Sequence, residues 1–290
     1  MFIIKFFKYL IESIFIYTFF VFIKIIGLKF SRILFSYIFI KLGPLFKSKL
    51  LIEENLNKAL QDKNLNKKNI ISKMWSNYGK VFVEYIYLNR FKKNNNHIKI
   101  KGNDILEKLV KDNKPVIFIS GHFANFELMS MELTKAGVNL ATIYRPLNNF
   151  FLNPFMEYVR KKNVCNNQIK KGTTGIRHAI GYLKNDCSIA LMIDQRVSEG
   201  KNLPFFKHNA FTTTLPAQLA LKFHSNIVPI YIRRNKEDNF EMELLAPINV
   251  LNMENNDVNK IEISLKLNEI LEEMILRDPA QWIWTHNRWK

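Results

Sequence analysis

An α/β fold with a mainly parallel sheet flanked by helices is what this sequence predicts, and three observations predict it. Short apolar runs such as Pro115-Val-Ile-Phe-Ile-Ser120 and Ser188 to Ile193 have the length of strands buried on both faces. Segments with helical spacing alternate with such runs from about residue 97 onward. The 290-residue chain is 48% apolar, which is ample for a core, and it contains no internal repeat and no Pro- or Ser-rich linker.

The N-terminus reads differently from the rest. Ten of the 24 Phe fall in the first 40 residues, and Lys5 and Lys8 stand ahead of an apolar stretch. That is the order of a secretory signal, but no small-residue cleavage site follows, and Lys24, Lys29 and Arg32 occupy its place. An uncleaved membrane anchor fits better. The charge-free run from Ser13 to Ile23 is shorter than the roughly 20 apolar residues needed to cross about 30 Å. Spanning would therefore require Glu12 and Lys24 to snorkel to the two interfaces. The alternative is a helix lying in one leaflet, continued by the apolar stretch Ile33 to Ile40. Residues 1–42 are accordingly expected to form the anchor and residues 43–290 one folded domain. The basic residues after the anchor predict that this domain faces the cytosol and anionic lipid.

The remaining elements follow in order. Apolar residues from Ile70 to Ile86 recur at helical spacing, predicting an amphipathic helix over 64–89. His97 to Lys101 alternates like an edge strand. The run 115–120 is a buried strand, followed by a helix over 125–136, a strand over 140–144 and a helix over 150–162. A helix over 174–184, a strand over 188–193 and a helix over 215–224 come next. Strands over 227–233 and 240–245 and a long helix over 258–277 complete the reading. In such sheets chemistry gathers in the loops at the carboxyl ends of strands.

Composition excludes several classes. Lys and Arg number 43 against 25 Asp and Glu, giving a formal charge of +18 and a pI near 9.7. The abundant Lys, Asn, Ile and Phe all have AT-rich codons, so part of this excess reflects base composition. No Lys/Arg cluster, helix-turn-helix or zinc-finger spacing accompanies the charge, so no nucleic-acid partner is expected. Cys165 and Cys187 are the only cysteines, too few for a disulfide framework or a Cys-rich zinc module. There is no Gly-x4-Gly-Lys phosphate loop, no Gly-x-Ser-x-Gly elbow and no His-Glu-x-x-His. No metal and no cofactor are expected.

One strand end carries chemistry: Ile119-Ser120-Gly121-His122-Phe123-Ala124-Asn125-Phe126-Glu127. On a continuous helix, residues five apart lie about 140° apart around the axis. His122 and Glu127 can therefore meet only if His122 sits on the loop and Glu127 in the first turn after it. Gly121 would supply the backbone freedom for that turn. A carboxylate beside an imidazole fixes its tautomer and supports the imidazolium that forms when it takes a proton.

Seven ordered blocks then make the chain resemble the bacterial lipid A biosynthesis acyltransferases, the lauroyl/myristoyl group within the glycerolipid acyltransferase superfamily. Asn55-Leu56 matches the family's Asn-Leu. Gly121 to Glu127 matches its Gly-His-Phe-Gly-Asn-Trp-Glu with Ala124 and Phe126 substituted. Tyr144 to Asn149 follows, then Lys171-Gly172 and Met192 to Gln195. Pro204-Phe205-Phe206 with Ala210 to Thr213, and Gln281 to Arg288, complete the set. Lys207-His208 stands where Gly is usual, which bears on substrate preference.

The resemblance implies a glycerolipid-acyltransferase-like fold, a catalytic domain over 43–290, and acyl transfer from a thioester, usually acyl carrier protein, to a glycolipid hydroxyl. A lipid A precursor is the expected acceptor, and a lysophospholipid or other glycolipid the alternative. His122 is expected to be the general base, oriented by Glu127. Arg145, ending a strand, is expected to grip a phosphate or sugar acid on the acceptor through its bidentate fork, with a structural pairing to a nearby acid as the alternative. Lys171 would be a flexible basic contact or part of a solvated loop. Asp194, ending a buried strand, needs a partner, which would be Arg145, the acceptor or a structural neighbour. Trp282, Trp284 and Trp289 are expected to pack under the site, with contact to the membrane as the alternative. Inner-membrane lipid, phosphorylated acceptor and acidic carrier protein would all be drawn to the basic surface.

Overall fold

The computed structural model describes residues 2–61 and 65–290. Its elements in chain order are α1 (Phe2–Phe46), α2 (Lys49–Leu60), α3 (Lys67–Glu84), α4 (Leu88–Lys93), β1 (Ile98–Lys101), α5 (Asn103–Asp112), β2 (Ile117–Ser120), α6 (Glu127–Lys135), β3 (Leu140–Tyr144), α7 (Asn153–Asn163), β4 (Asn167–Lys170), α8 (Thr173–Lys184), β5 (Ser188–Met192), β6 (Lys201–Phe205), β7 (His208–Thr212), α9 (Leu215–Phe223), β8 (Ile227–Arg234), β9 (Phe240–Leu244) and α10 (Asp257–Arg277).

Seven strands form one sheet in the order β1-β9-β8-β2-β5-β3-β4, with β8–β9 its antiparallel pair and the other neighbours parallel. The mainly parallel sheet expected from the sequence is therefore present, and β1 lies at its edge as the alternating 97–101 pattern predicts. All four residues of β2 are buried, and β8 is buried over its first six, which explains their unbroken apolar runs. The anticipated helix over 64–89 is divided. It ends at Glu84, passes through a 3-10 turn at Tyr85–Tyr87 and resumes as α4, while Asn64 lies outside the described residues. The hairpin of β6 and β7, separate from the main sheet, and the polar edge strand β4 were not anticipated. In β4 Ile169 is the one buried residue, too little for an apolar run.

α1 is two helices joined at Gly27, whose φ of 80° and ψ of 164° suit glycine and few other residues. The arms fold back on each other, bringing Phe19 and Phe35 to 5.7 Å between ring centroids. Both arms lie against the folded body. In the first, Phe6 meets Phe151, Tyr17 donates to the Phe151 carbonyl at 2.9 Å, and Phe20 stacks near Phe82 and Phe155. Asn149 fastens the same arm by donating to the Tyr9 carbonyl and accepting from Ser13. In the second arm, Ser36 meets Ser76 at 2.6 Å, and Arg32 reaches Glu84.

Candidate active site

The central strands bring His122 to a partner that local spacing does not suggest. β2 and β5 run parallel with Ser120 opposite Met192, so two residues further on His122 lies opposite Asp194. The His122 Nδ1 is 2.7 Å from Asp194 Oδ1, and its backbone N–H donates to Oδ2 at 2.8 Å. The indole N–H of Trp282 donates to the same Oδ2 at 2.9 Å. Asp194 has no exposed side-chain surface, whereas the His122 side chain keeps 19%. Burial alone would raise the Asp194 pKa. The His122 ring, its backbone N–H and the Trp282 indole outweigh this, and the carboxyl is held below its ordinary value. Asp194 thus contributes stability above the ordinary carboxylate range and loses it as pH falls through the lowered value. An ionised Asp194 accepts, so Nδ1 carries the proton and Nε2 is left with a free lone pair.

Glu127 does not pair with His122, contrary to the local reading. It opens α6, and its carboxylate turns to α7, where Arg160 donates to Oε1 from Nε at 2.8 Å and from Nη2 at 2.5 Å. The Tyr85 hydroxyl donates to the same oxygen. Arg160 lies between the rings of Tyr85 and Tyr144. Burial, followed by the Glu127 charge, pushes the Tyr85 pKa well up, so its hydroxyl stays protonated. His122 sits on the loop and Glu127 in the first turn, as the local reading requires, but each is taken by a partner distant in sequence: Asp194 for His122, and Arg160 with Tyr85 for Glu127. Arg160 and Tyr85 were not singled out from the sequence, because each reaches the site from a separate element, whereas Trp282 packs under the site as expected.

The loop itself is tightly drawn. Gly121 is required by space and not by a left-handed turn: a Cβ there would come within 2.8 Å of the Phe123 ring and 3.0 Å of Leu271. Ala124 adopts φ of 42°, a left-handed conformation that costs an L-residue about 1–2 kcal/mol. Glycine there relieves that cost but gains about 0.4–1 kcal/mol of freedom in the unfolded chain. The Ala124 methyl is buried, and removing it forfeits about 0.8 kcal/mol. Ala124→Gly is therefore expected to leave stability within about 1 kcal/mol of the parent, read as a Tm close to the parent value. A loss of more than about 1 kcal/mol would show that the loop does not strain Ala124.

Arg145 follows β3 and Lys171 follows β4, and both are exposed. Tyr144 and Lys170 are register partners and the Lys171 N–H donates to the Tyr144 carbonyl at 2.8 Å, so the two basic residues leave adjacent strand ends together. Asp194, engaged by His122, does not hold Arg145. Asn55 donates to the carbonyls of Trp284 and His286, and Tyr78 meets Thr285 at 2.7 Å, fixing the C-terminal segment beneath the loop. Trp282 and Trp284 are buried edge to face at 4.6 Å. His286 Nε2 accepts the Arg196 backbone N–H, and burial lowers the His286 pKa from 6.5 to about 4. Below about pH 6.5 the unfolded chain therefore takes a proton that the folded one resists, and stability falls on acidification.

The arrangement is an α/β scaffold with a carboxylate-paired histidine just beyond the end of a central strand. Among the described residues, the side-chain partner of the His122 ring is Asp194. The chain belongs to the bacterial lipid A biosynthesis acyltransferase family, whose sequence pattern matches residues 4–290. It is 26% identical over 195 residues to the lipid A biosynthesis palmitoleoyltransferase of Escherichia coli (strain K12), covering 66% of this chain and 61% of that protein. The lipid A biosynthesis acyltransferase of Shigella flexneri matches to the same extent. That of Haemophilus influenzae is 24% identical over 201 residues, covering 66% of this chain and 60% of its own length. The alignments thus span less than two thirds of these relatives.

Proposed function

We propose that this protein transfers a fatty acyl chain from an acyl thioester, carried by acyl carrier protein, to a hydroxyl of a lipid A precursor. The observation that carries the mechanism is the His122–Asp194 contact at 2.7 Å, which leaves Nε2 as a base. His122 Nε2 takes the proton of the acceptor hydroxyl as its oxygen attacks the thioester carbonyl. The tetrahedral intermediate collapses to the ester, the carbon–sulfur bond breaks, and the imidazolium returns the proton to the departing thiolate. Asp194 orients the ring and balances its positive charge. Arg145 and Lys171 grip an acceptor phosphate from adjacent strand ends, and the Glu127–Arg160–Tyr85 group lines the loop beyond. The test is mass spectrometry of lipids from cells that lack their late acyltransferases and express this protein. A new acyl group on lipid A supports the reading; a change confined to phospholipids would move the acceptor to a lysophospholipid, and no change in any lipid would defeat it.

We infer also that α1 lies in one leaflet of the inner membrane, with the catalytic domain on the cytoplasmic side. Among the described residues, 20 of the 27 exposed large apolar side chains fall within residues 3–50, which marks this face for lipid. The first arm touches the body from Phe6 to Ile23, roughly 26 Å at 1.5 Å per residue, so that length is not free to cross a bilayer. Exposed Lys24 and Lys29 flank the bend, where they meet anionic headgroups. Cysteines placed at the exposed positions Lys5 and Lys290 should both react with an impermeant maleimide from the same side of sealed vesicles, since Cys165 and Cys187 are buried. Labelling from opposite sides would make α1 a span.

A further inference from the structure

We propose that the buried Glu84–Arg234 pair is a positioning site for the catalytic loop, acting through Asn125 and Asn77; this rests on the proposed role of His122 as the base. Glu84, at the end of α3, is fully buried. Its Oε1 accepts from Arg32 Nε at 2.7 Å and Arg234 Nη1 at 2.5 Å. Its Oε2 accepts from Arg234 Nη2 at 3.0 Å and Asn125 Nδ2 at 2.9 Å. Four donors saturate the lone pairs of one carboxylate.

Three connections run from this pair to the strained turn behind His122. Asn125, next to Ala124, donates directly to Glu84. Asn77 accepts from Arg234 Nε at 3.1 Å and donates to the Ala124 carbonyl at 3.4 Å. Gln281 clasps the Arg234 backbone, accepting from its N–H at 2.5 Å and donating to its carbonyl at 2.8 Å, and its own carbonyl accepts the Ala124 N–H at 3.0 Å. A left-handed alanine persists only where its surroundings over-determine it, and here every polar group of the Ala124 backbone is tied to the same pair.

Stability alone does not account for this arrangement. A buried ion pair is costly to desolvate and is commonly matched in stability by apolar side chains of similar volume. Asn125 also leaves its buried Oδ1, and Arg32 its Nη2, without a partner. What the groups supply is a fixed place for the backbone between His122 and Glu127.

Glu84→Gln would strand two guanidiniums and is expected to unfold, so the connections are cut instead. Asn125→Leu removes one donor and an unsatisfied acceptor, leaving Glu84 held by both arginines; Asn77→Leu removes the second strut. Each is expected to lower kcat by about 10–100-fold with the thioester KM nearly unchanged, because displacement of about 1 Å is enough to cost that much. Hydrogen exchange of the 121–127 backbone should rise while that of β2 and β5 stays at parent levels. Arg233→Met, which breaks a surface pair with Glu241, should change neither. Parent-like kcat and loop exchange in both leucine variants would overturn the proposal, as would loop exchange rising together with that of β2 and β5. If the parent protein transfers no acyl group at all, the proposed function fails, and loop exchange alone still decides the role of the pair.

Discussion

His122→Ala is expected to reduce acyl transfer by about 10²–10⁴-fold, the range over which a positioned general base normally acts, while leaving the fold in place. The fold should survive because the ring is a minor part of what holds the loop. Asp194 would keep the backbone N–H of residue 122 and the Trp282 indole as donors. Ala124 would keep its ties to Gln281 and Asn77. Losing the imidazole removes the largest of the interactions that lower the Asp194 pKa, so that value should rise toward the ordinary carboxylate range or beyond it. The measurement is the lipid profile of cells expressing the variant, paired with a thermal melt of the purified protein. A folded variant that modifies lipid A at the parent rate would remove His122 from the mechanism.

The site divides into what local sequence can show and what it cannot. His122 was legible because a buried run, a glycine and a histidine lie together in seven residues. Its partner was not, because Asp194 is 72 residues away and meets it only through the pairing of β2 with β5. A reader confined to neighbouring residues therefore assigns the nearest carboxylate, Glu127, whose real partner is Arg160, 33 residues on and in another helix. The strands were legible where they are buried on both faces, as in β2 and β8. Polar β4 and the β6–β7 hairpin gave no comparable signal. At the N-terminus the apolar character was plain, but one glycine in an apolar run does not reveal whether a helix continues. Only the φ of 80° at Gly27 separates a straight helix from a folded one.

Asp194→Asn is expected to be nearly as damaging as loss of His122, although it changes one atom. The carboxylate has two differentiated oxygens. Oδ2 accepts from the His122 backbone N–H and the Trp282 indole, both of which can only donate. In the variant the amide oxygen must face those two donors, which forces the amide NH2 into the place of Oδ1, 2.7 Å from His122 Nδ1. That nitrogen must then accept. The imidazole proton is displaced to Nε2, and the atom that should remove a proton from the acceptor hydroxyl becomes a donor itself. The charge that supports the imidazolium is lost in the same step. A drop of about 10²–10⁴ in kcat/KM is expected, with a lower Tm at neutral pH because the stability of the ionised carboxylate is lost, although every hydrogen bond is retained with its direction reversed at one position. Ring ¹⁵N chemical shifts of His122 would show the tautomer directly, with the proton on Nδ1 in the parent and on Nε2 in the variant. Full activity with the proton on Nε2 would mean that His122 acts by donating a hydrogen bond to the thioester carbonyl, and the base would have to be sought in another group.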